Sequence, residues 1–264
     1  LHPKQGTDAA LAMAMGHVAL NEFYFKQRSP YFDDYVRRYT DMPKLVQLEE
    51  RTLPDGRTVM VPGRYLRASD FNGQLGQANN PDWKTVALDE SDKLVLPNGS
   101  IGFRWGAADR TDTGKWNLED KEARHDGDVK LKLSVLEGEA QAHDIVDVAF
   151  PYFAGADTPH FNNNPQQGEL NRARVPAVRI RLGKEGDERH AVVATVFDLQ
   201  AAQYGIDRGL GSGAKSYDDN APYTPAWQEA ITGVPRQQLI TVARQFAENA
   251  HKTEGKSMVI IGAA

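Results

Sequence analysis

The stretch from Ala9 to Leu20 is apolar around nearly the whole circumference of a helical path, and only Gly16 and His17 break it. A helix of that kind cannot lie on a surface and has to be enclosed on most sides. It is well short of the roughly 20 apolar residues that a membrane span needs, so protein must do the enclosing. Pro3-Lys4-Gln5-Gly6-Thr7-Asp8 ahead of it reads as the helix start, with Thr7 or Asp8 as cap and the alanine, leucine and methionine residues behind it favouring the helix. Lys4 and Asp8 precede the run without the basic flank and small-residue cleavage site of a secretory signal.

The chain has 264 residues, 40% hydrophobic and 25% charged, within the ordinary range for a globular protein able to bury a core. Its net charge of −5, with no basic run or basic helix face, argues against nucleic acid as a partner. Cysteine is absent, which removes disulfide frameworks, thiolate metal sites, cysteine nucleophiles and iron-sulfur ligation from this sequence. Any redox chemistry therefore needs a bound cofactor. The sequence opens on Leu1 and closes on Met258-Val259-Ile260-Ile261-Gly262, a strand running into a glycine turn, and both ends read as cut from a longer protein.

Three regions are expected. Residues 1–50 read as an α/β unit: the apolar helix, a second helix over Tyr31–Tyr39, and a short strand at Lys44–Leu48. Residues 51–214 read as an irregular antiparallel β-rich insertion, with β-prone runs at Thr58–Val61, Thr85–Leu88, Lys130–Val135, Val175–Leu182 and Ala191–Phe197. The turn signals between them are Asp55-Gly56, Asn98-Gly99, Asp126-Gly127 and Lys184-Glu185-Gly186-Asp187. Residues 215–264 read as a second α/β unit. Thr224-Pro225 and Val234-Pro235 start helices, Leu239, Val242, Ala243, Phe246 and Ala250 give an apolar face, and Ser257–Ile261 gives a buried strand. The fold class is α/β.

Gly6-Thr7-Asp8 supports two readings. It is an ordinary cap, the simpler one, or a place where helix N–H groups and a carboxylate meet a ligand, anions favouring the N–H groups and guanine's N1–H and amine favouring the carboxylate. Arg208–Lys215 is glycine-rich but fits neither nucleotide-binding fingerprint and reads as a flexible loop. Tyr217-Asp218-Asp219 reads as a turn, and the polar stretch Asn162–Gly168 as a mobile loop. The seven histidines lack metal-binding spacing, and His17 reads as a hydrogen-bonded core residue. Trp83, Trp105 and Trp116 are expected to pack the β-rich core; several of them exposed on one face would instead suggest a partner subunit.

Pro3-Lys4-Gln5-Gly6-Thr7-Asp8-Ala9-Ala10-Leu11-Ala12-Met13-Ala14-Met15-Gly16-His17 resembles a segment of the molybdopterin oxidoreductases, and is most similar to the catalytic alpha chains of membrane-associated respiratory nitrate reductases. Tyr35–Pro43, Pro97–Gly106, Lys115–Glu119, Ser216–Asp219, Tyr223–Trp227 and Ile231–Val234 carry the same likeness in order, so it extends over nearly the whole sequence. It implies part of an enzyme that reduces nitrate to nitrite at molybdenum held by two molybdopterin guanine dinucleotides, with electrons from quinol passing through iron-sulfur clusters. The implied partners are an iron-sulfur beta subunit and a membrane cytochrome b gamma subunit, and the implied place is the cytoplasmic face of the membrane. The family's Gly-Thr-Asp turn touches the guanine end of a pterin dinucleotide. That points to Gly6, Thr7 and Asp8, with Lys4 and Gln5 as neighbours, and makes Rossmann-like helix and strand units the expectation at both ends.

The family's molybdenum-ligating Asp and its cluster ligands belong to parts of the family's chain outside this sequence, so no catalytic or metal-binding residue is assigned here and an isolated chain is expected to be inactive. Ala107–Gly114 and Ala154–Arg174 depart from the family and read as tolerated loops. Gly262 follows the last strand, where ligands of open α/β sheets bind, and is expected to approach the cofactor. A nitrite oxidoreductase, a chlorate or selenate reductase, and a non-catalytic subunit-interaction module are the alternatives.

Overall fold

The computed structural model describes residues 1–52, 56–72, 74–75, 81–97, 130–138, 143–150, 171–183, 186 and 189–260. Among these residues the helices are α1 (Asp8–Leu20), α2 (Pro30–Tyr39), α3 (Val196–Gln203), α4 (Pro225–Thr232) and α5 (Arg236–Lys252). The strands are β1 (Leu45–Thr52), β2 (Thr58–Tyr65), β3 (Ala87–Leu88), β4 (Leu94–Val95), β5 (Asp144–Phe150), β6 (Asn171–Arg181) and β7 (His190–Thr195). The chain divides into two compact units: Leu1–Asp34, Phe150–Ala173 and Ala201–Ala264 make one, and Tyr35–Ala149 with Arg174–Gln200 make the other.

The first unit is helical. Within Ala9–Leu20 only Ala9 and Ala12 are exposed, as an all-round apolar helix requires. Ala14 and Val18 of α1 pack against Leu239, Ile240 and Ala243 of α5, and Ala10 packs against Tyr223 and Trp227 at the start of α4. Thr224 caps α4 by accepting a hydrogen bond from the Trp227 N–H (3.1 Å), and Pro225 follows at the first helical position. Gly233 ends α4 at φ +73°, the left-handed conformation glycine adopts at no steric cost.

The second unit is built on a small closed barrel ordered β1-β2-β5-β6-β7. β1 runs antiparallel to both β2 and β7, and β6 runs antiparallel to β7. The pairing of Met60 in β2 with Val148 in β5 is parallel, so the expected irregular antiparallel β is corrected at this one pair. On β6, exposed Arg172, Arg174, Arg179 and Arg181 alternate with buried Ala173, Val175 and Ile180. Leu45, Leu66, Phe71, Val86, Val178 and Val193 form the centre of this core.

Several expectations fail, each for an identifiable reason. Lys130–Val135 is not a strand. Leu131 alone bridges to Asp89, and Leu131, Lys132, Leu133, Ser134 and Val135 are all buried, so no face is left for solvent. Backbone pairing stops at this bridge, where the Lys132 N–H donates to the Leu88 carbonyl (2.9 Å) and the Glu90 N–H to the Lys130 carbonyl (3.0 Å), and side chains supply the rest. Arg37 pairs with Glu137 (3.0 Å), Lys132 pairs with Asp92, and fully buried Asp198 accepts from Ser134 Oγ (2.6 Å) and the Val135 N–H (3.0 Å). Past β7 the β-prone run does not continue to Phe197: α3 begins at Val196, where Thr195 Oγ1 accepts from the Asp198 N–H (3.0 Å) and donates to the Asp198 carboxylate (2.8 Å).

The buried strand expected over Ser257–Ile261 is likewise absent across the described residues 257–260. Ser257 is tied to α5 through the Phe246 carbonyl (3.0 Å), whereas Met258 and Ile260 are 78% and 83% exposed and pair with no described strand. A strand exists only by virtue of the ladder beside it. Trp83, expected in the core, is 80% exposed on a short 3-10 turn, because aliphatic residues and Phe71 fill the interior there. Trp105, Trp116, Asn98-Gly99, Asp126-Gly127 and Asn162–Gly168 lie outside the described residues.

Candidate functional site

Four of the residues singled out at the start of α1 face outward together. Lys4, Gln5, Gly6 and Asp8 are exposed, and the side chains of Lys4, Gln5 and Asp8 make no hydrogen bond or ion pair with the described residues. The Thr7 N–H donates to the Lys4 carbonyl (3.2 Å), closing a turn with Gly6 at its third position and φ +75°. A type II turn demands a positive φ there, which is why glycine suits it. A Cβ added at Gly6 would meet nothing within 4 Å, so the space over this turn is open.

Thr7 behaves differently from its neighbours. It occupies the cap position but bonds to no first-turn N–H; its buried hydroxyl turns back and donates to the Lys4 carbonyl (2.6 Å). The capping role expected of Thr7 is thus corrected. The first helical hydrogen bonds run from Ala10 and Leu11 to the Thr7 carbonyl (3.0 and 3.4 Å), leaving the N–H groups of Asp8 and Ala9 without an intrahelical acceptor. The open turn therefore offers helix N–H donors, one carboxylate acceptor, an ammonium and an amide. This donor set suits an anionic ligand that also carries N–H donors, such as a purine nucleotide. Gly262 lies outside the described residues.

The opposite end of α1 carries a polar cluster in which His17 is the hydrogen-bonded core residue expected from the sequence and the other members are not announced. His17 is buried, with Nδ1 2.5 Å from the Tyr204 carbonyl, and burial holds its pKa below the ordinary 6.5 while that carbonyl partly offsets the effect. α1 continues into a π-helical turn, Asn21–Lys26, from which Glu22 accepts from Arg244 (2.8 and 2.7 Å) and from the Tyr217 hydroxyl (2.8 Å). Arg244 holds the Glu22 carboxyl below its usual range, whereas burial and then Glu22 push the Tyr217 phenol up. Glu22 and Arg244 stand 222 positions apart in the sequence, so no local spacing could have revealed the pair.

The remaining sequence candidates resolve into structural roles. The Arg208–Lys215 loop is tied by Asp207, which accepts from the Gly209 N–H (3.0 Å) and the Lys215 ammonium (2.5 Å). Tyr217-Asp218-Asp219 is a turn, with Asp219 accepting from the Lys215 and Ser216 N–H groups. In the barrel unit, burial holds the Lys44 ammonium down to about 8, with Lys84 adding to the shift and Asp41 opposing it. Among the described residues no group of three or more His, Cys, Asp or Glu is placed to hold a metal ion. No helix among them is long and apolar enough to cross a membrane.

Known proteins match the chain along its length. It is 52% identical over 265 residues to the respiratory nitrate reductase 1 alpha chain of Escherichia coli, covering 100% of this chain and 20% of that protein. It is 40% identical over 263 residues to the nitrate reductase alpha chain of Bacillus subtilis, covering 98% and 19%. It is 41% identical over 266 residues to the nitrate reductase alpha subunit of Mycobacterium tuberculosis, covering 97% and 19%. The chain thus spans about one fifth of the length of these relatives. No family model matches it.

Proposed function

Since the chain belongs to the nitrate reductase alpha-chain family and corresponds to about one fifth of its relatives' length, we propose that it forms part of a respiratory nitrate reductase and helps hold the pterin guanine dinucleotide of its molybdenum cofactor. The observation that carries this reading is the open turn at the start of α1, where Asp8 is exposed beside helix N–H groups and the uncovered face of Gly6.

Asp8 accepts the N1–H and amine protons of guanine, Lys4 and the first-turn N–H groups face the phosphates, and Gln5 flanks them. The molybdenum cofactor, a bis(molybdopterin guanine dinucleotide), supplies the oxygen-atom transfer when bound, while this chain contributes position and electrostatics. Reduction of nitrate to nitrite, iron-sulfur ligands elsewhere in the subunit, beta and gamma partner subunits and a peripheral place on the cytoplasmic face of the membrane complete the proposal. Residues 1–50 and 215–264 are read as Rossmann-like units around the 51–214 insertion, and Gly262 as a further approach to the cofactor.

The test is Asp8→Lys in the full-length subunit, with guanine nucleotide measured as GMP released by acid hydrolysis. Charge reversal is expected to lower it roughly tenfold or more, the scale of a lost charge-assisted hydrogen bond. Unchanged loading would favour the second reading, a subunit-interaction module, for which the exposed Trp83 is the motivating observation.

A further inference from the structure

The Lys4 peptide is held from both sides. Its N–H donates to the Thr232 carbonyl at the end of α4 (3.0 Å), and its carbonyl accepts from both the Thr7 hydroxyl (2.6 Å) and the Thr7 N–H (3.2 Å). Thr232 is itself fixed by a fully buried relay. Its hydroxyl donates to Gln228 Oε1 (2.7 Å) and accepts from the Val234 N–H (3.0 Å), and Gln228 Nε2 donates to the Val234 carbonyl (2.9 Å). Ending α4 does not require this relay. Gly233 already closes the helix through its own backbone, its N–H donating to the Glu229 carbonyl (2.9 Å). What the relay adds is a fixed direction for the Thr232 carbonyl, and that carbonyl is the anchor of Lys4.

We propose that Gln228, Thr232 and Thr7 are positioning residues for the nucleotide-contacting turn: through the Lys4 peptide they hold Gln5, Gly6 and Asp8 in their bound arrangement before the ligand arrives. The inference rests on Asp8 being a nucleotide contact. None of the three needs to touch the ligand, since Gln228, Thr232 and Thr7 are buried while the residues they orient are exposed. A turn ordered in advance loses little further freedom on binding, so the effect lies in retention of the ligand. Gln228 suits the place because its amide offers one acceptor and one donor at once; a carboxylate there would set two acceptors, its own oxygen and the Val234 carbonyl, against each other.

The test is made in the full-length subunit loaded with its cofactor, and the readout is the rate at which guanine nucleotide is lost on dilution, measured as remaining GMP after acid hydrolysis. Thr7→Val, which keeps shape and removes only the hydroxyl, is expected to speed loss roughly three- to tenfold, the scale of one hydrogen bond, and Thr7→Ser to restore it. Gln228→Leu is expected to act in the same direction; should it fail to fold, the Thr7 pair decides. Amide protection of α4 and α5 in Thr7→Val is expected to match the parent. Loss as slow as in the parent for Thr7→Val, or no rescue by Thr7→Ser, overturns the inference. If Asp8→Lys alone speeds loss, the positioning role falls and the nucleotide reading stands; if neither Asp8→Lys nor Thr7→Val has an effect, both fall.

Discussion

The two ends of α1 handle polar side chains in opposite ways. At the C-terminal end His17, Asn21 and Glu22 find partners inside the same unit: the Tyr204 carbonyl, the Tyr217 hydroxyl and the Arg244 guanidinium. At the N-terminal end Lys4, Gln5 and Asp8 project outward and find none among the described residues. Both ends sit on one apolar body, so hydrophobic burial does not distinguish them. The difference teaches that the closed end fixes the helix and the open end is available for recognition. Substitutions should separate into those that loosen α1 and those that leave it intact but weaken ligand retention.

The largest loss of helix protection is expected at the closed end. His17→Ala removes a buried ring and its hydrogen bond to the Tyr204 carbonyl, and should lower the protection of Asp8–Leu20 by about 3 kcal/mol, read by amide exchange in the full-length subunit. Acid should act in the same direction. The folded pKa of His17 lies below 6.5, so under acid the unfolded state takes up its proton first. Its contribution is complete above pH 6.5 and is lost as pH falls toward the depressed folded value; His17→Leu should abolish that part of the pH dependence. A protection profile for α1 that is flat below pH 6.5 in the parent would contradict this.

A smaller effect is expected for the Glu22–Arg244 pair, whose side chains are 21% and 44% exposed. A double-mutant cycle with Glu22→Gln and Arg244→Gln should give a coupling of about 1 kcal/mol or less, shrinking with added salt. Asp8→Asn should have the smallest effect on helix protection, none beyond error, while still speeding guanine nucleotide loss. If Asp8→Asn loosened α1 as much as His17→Ala does, the distinction between the two ends would disappear.

Sequence reading succeeded where the cause was local. The all-round apolar pattern of Ala9–Leu20 dictated enclosure, and Thr224-Pro225 marked the start of α4. It failed where the cause lay elsewhere in the chain. The alternation of Lys130–Val135 looks like a strand, but its backbone pairs only around the Leu131–Asp89 bridge, and its other partners include side chains from distant positions, Arg37 and Asp198 among them. Val196–Gln203 follows a β-prone run without interruption, and only the Thr195 and Asp198 pair signals the change to helix. At the candidate site the outward residues Lys4, Gln5, Gly6 and Asp8 were all legible in the sequence. The inward turn of Thr7 and the use of the Gln228 relay were not: the Thr7 hydroxyl takes the Lys4 carbonyl in place of a first-turn N–H, and the relay meets the turn only through the Lys4–Thr232 bond between distant parts of the chain.

Closure of the barrel has a consequence for how the polypeptide is made. β1 is flanked on one side by β2, which follows almost at once, and on the other by β7, where Leu45 meets Thr195 about 150 positions later. On a ribosome emitting roughly 5–20 residues per second, the second edge of β1 stays bare for roughly eight to thirty seconds before its neighbour exists. During that interval the nascent chain presents an unpaired edge to everything around it, and slowing translation between these two strands should increase its dependence on chaperones.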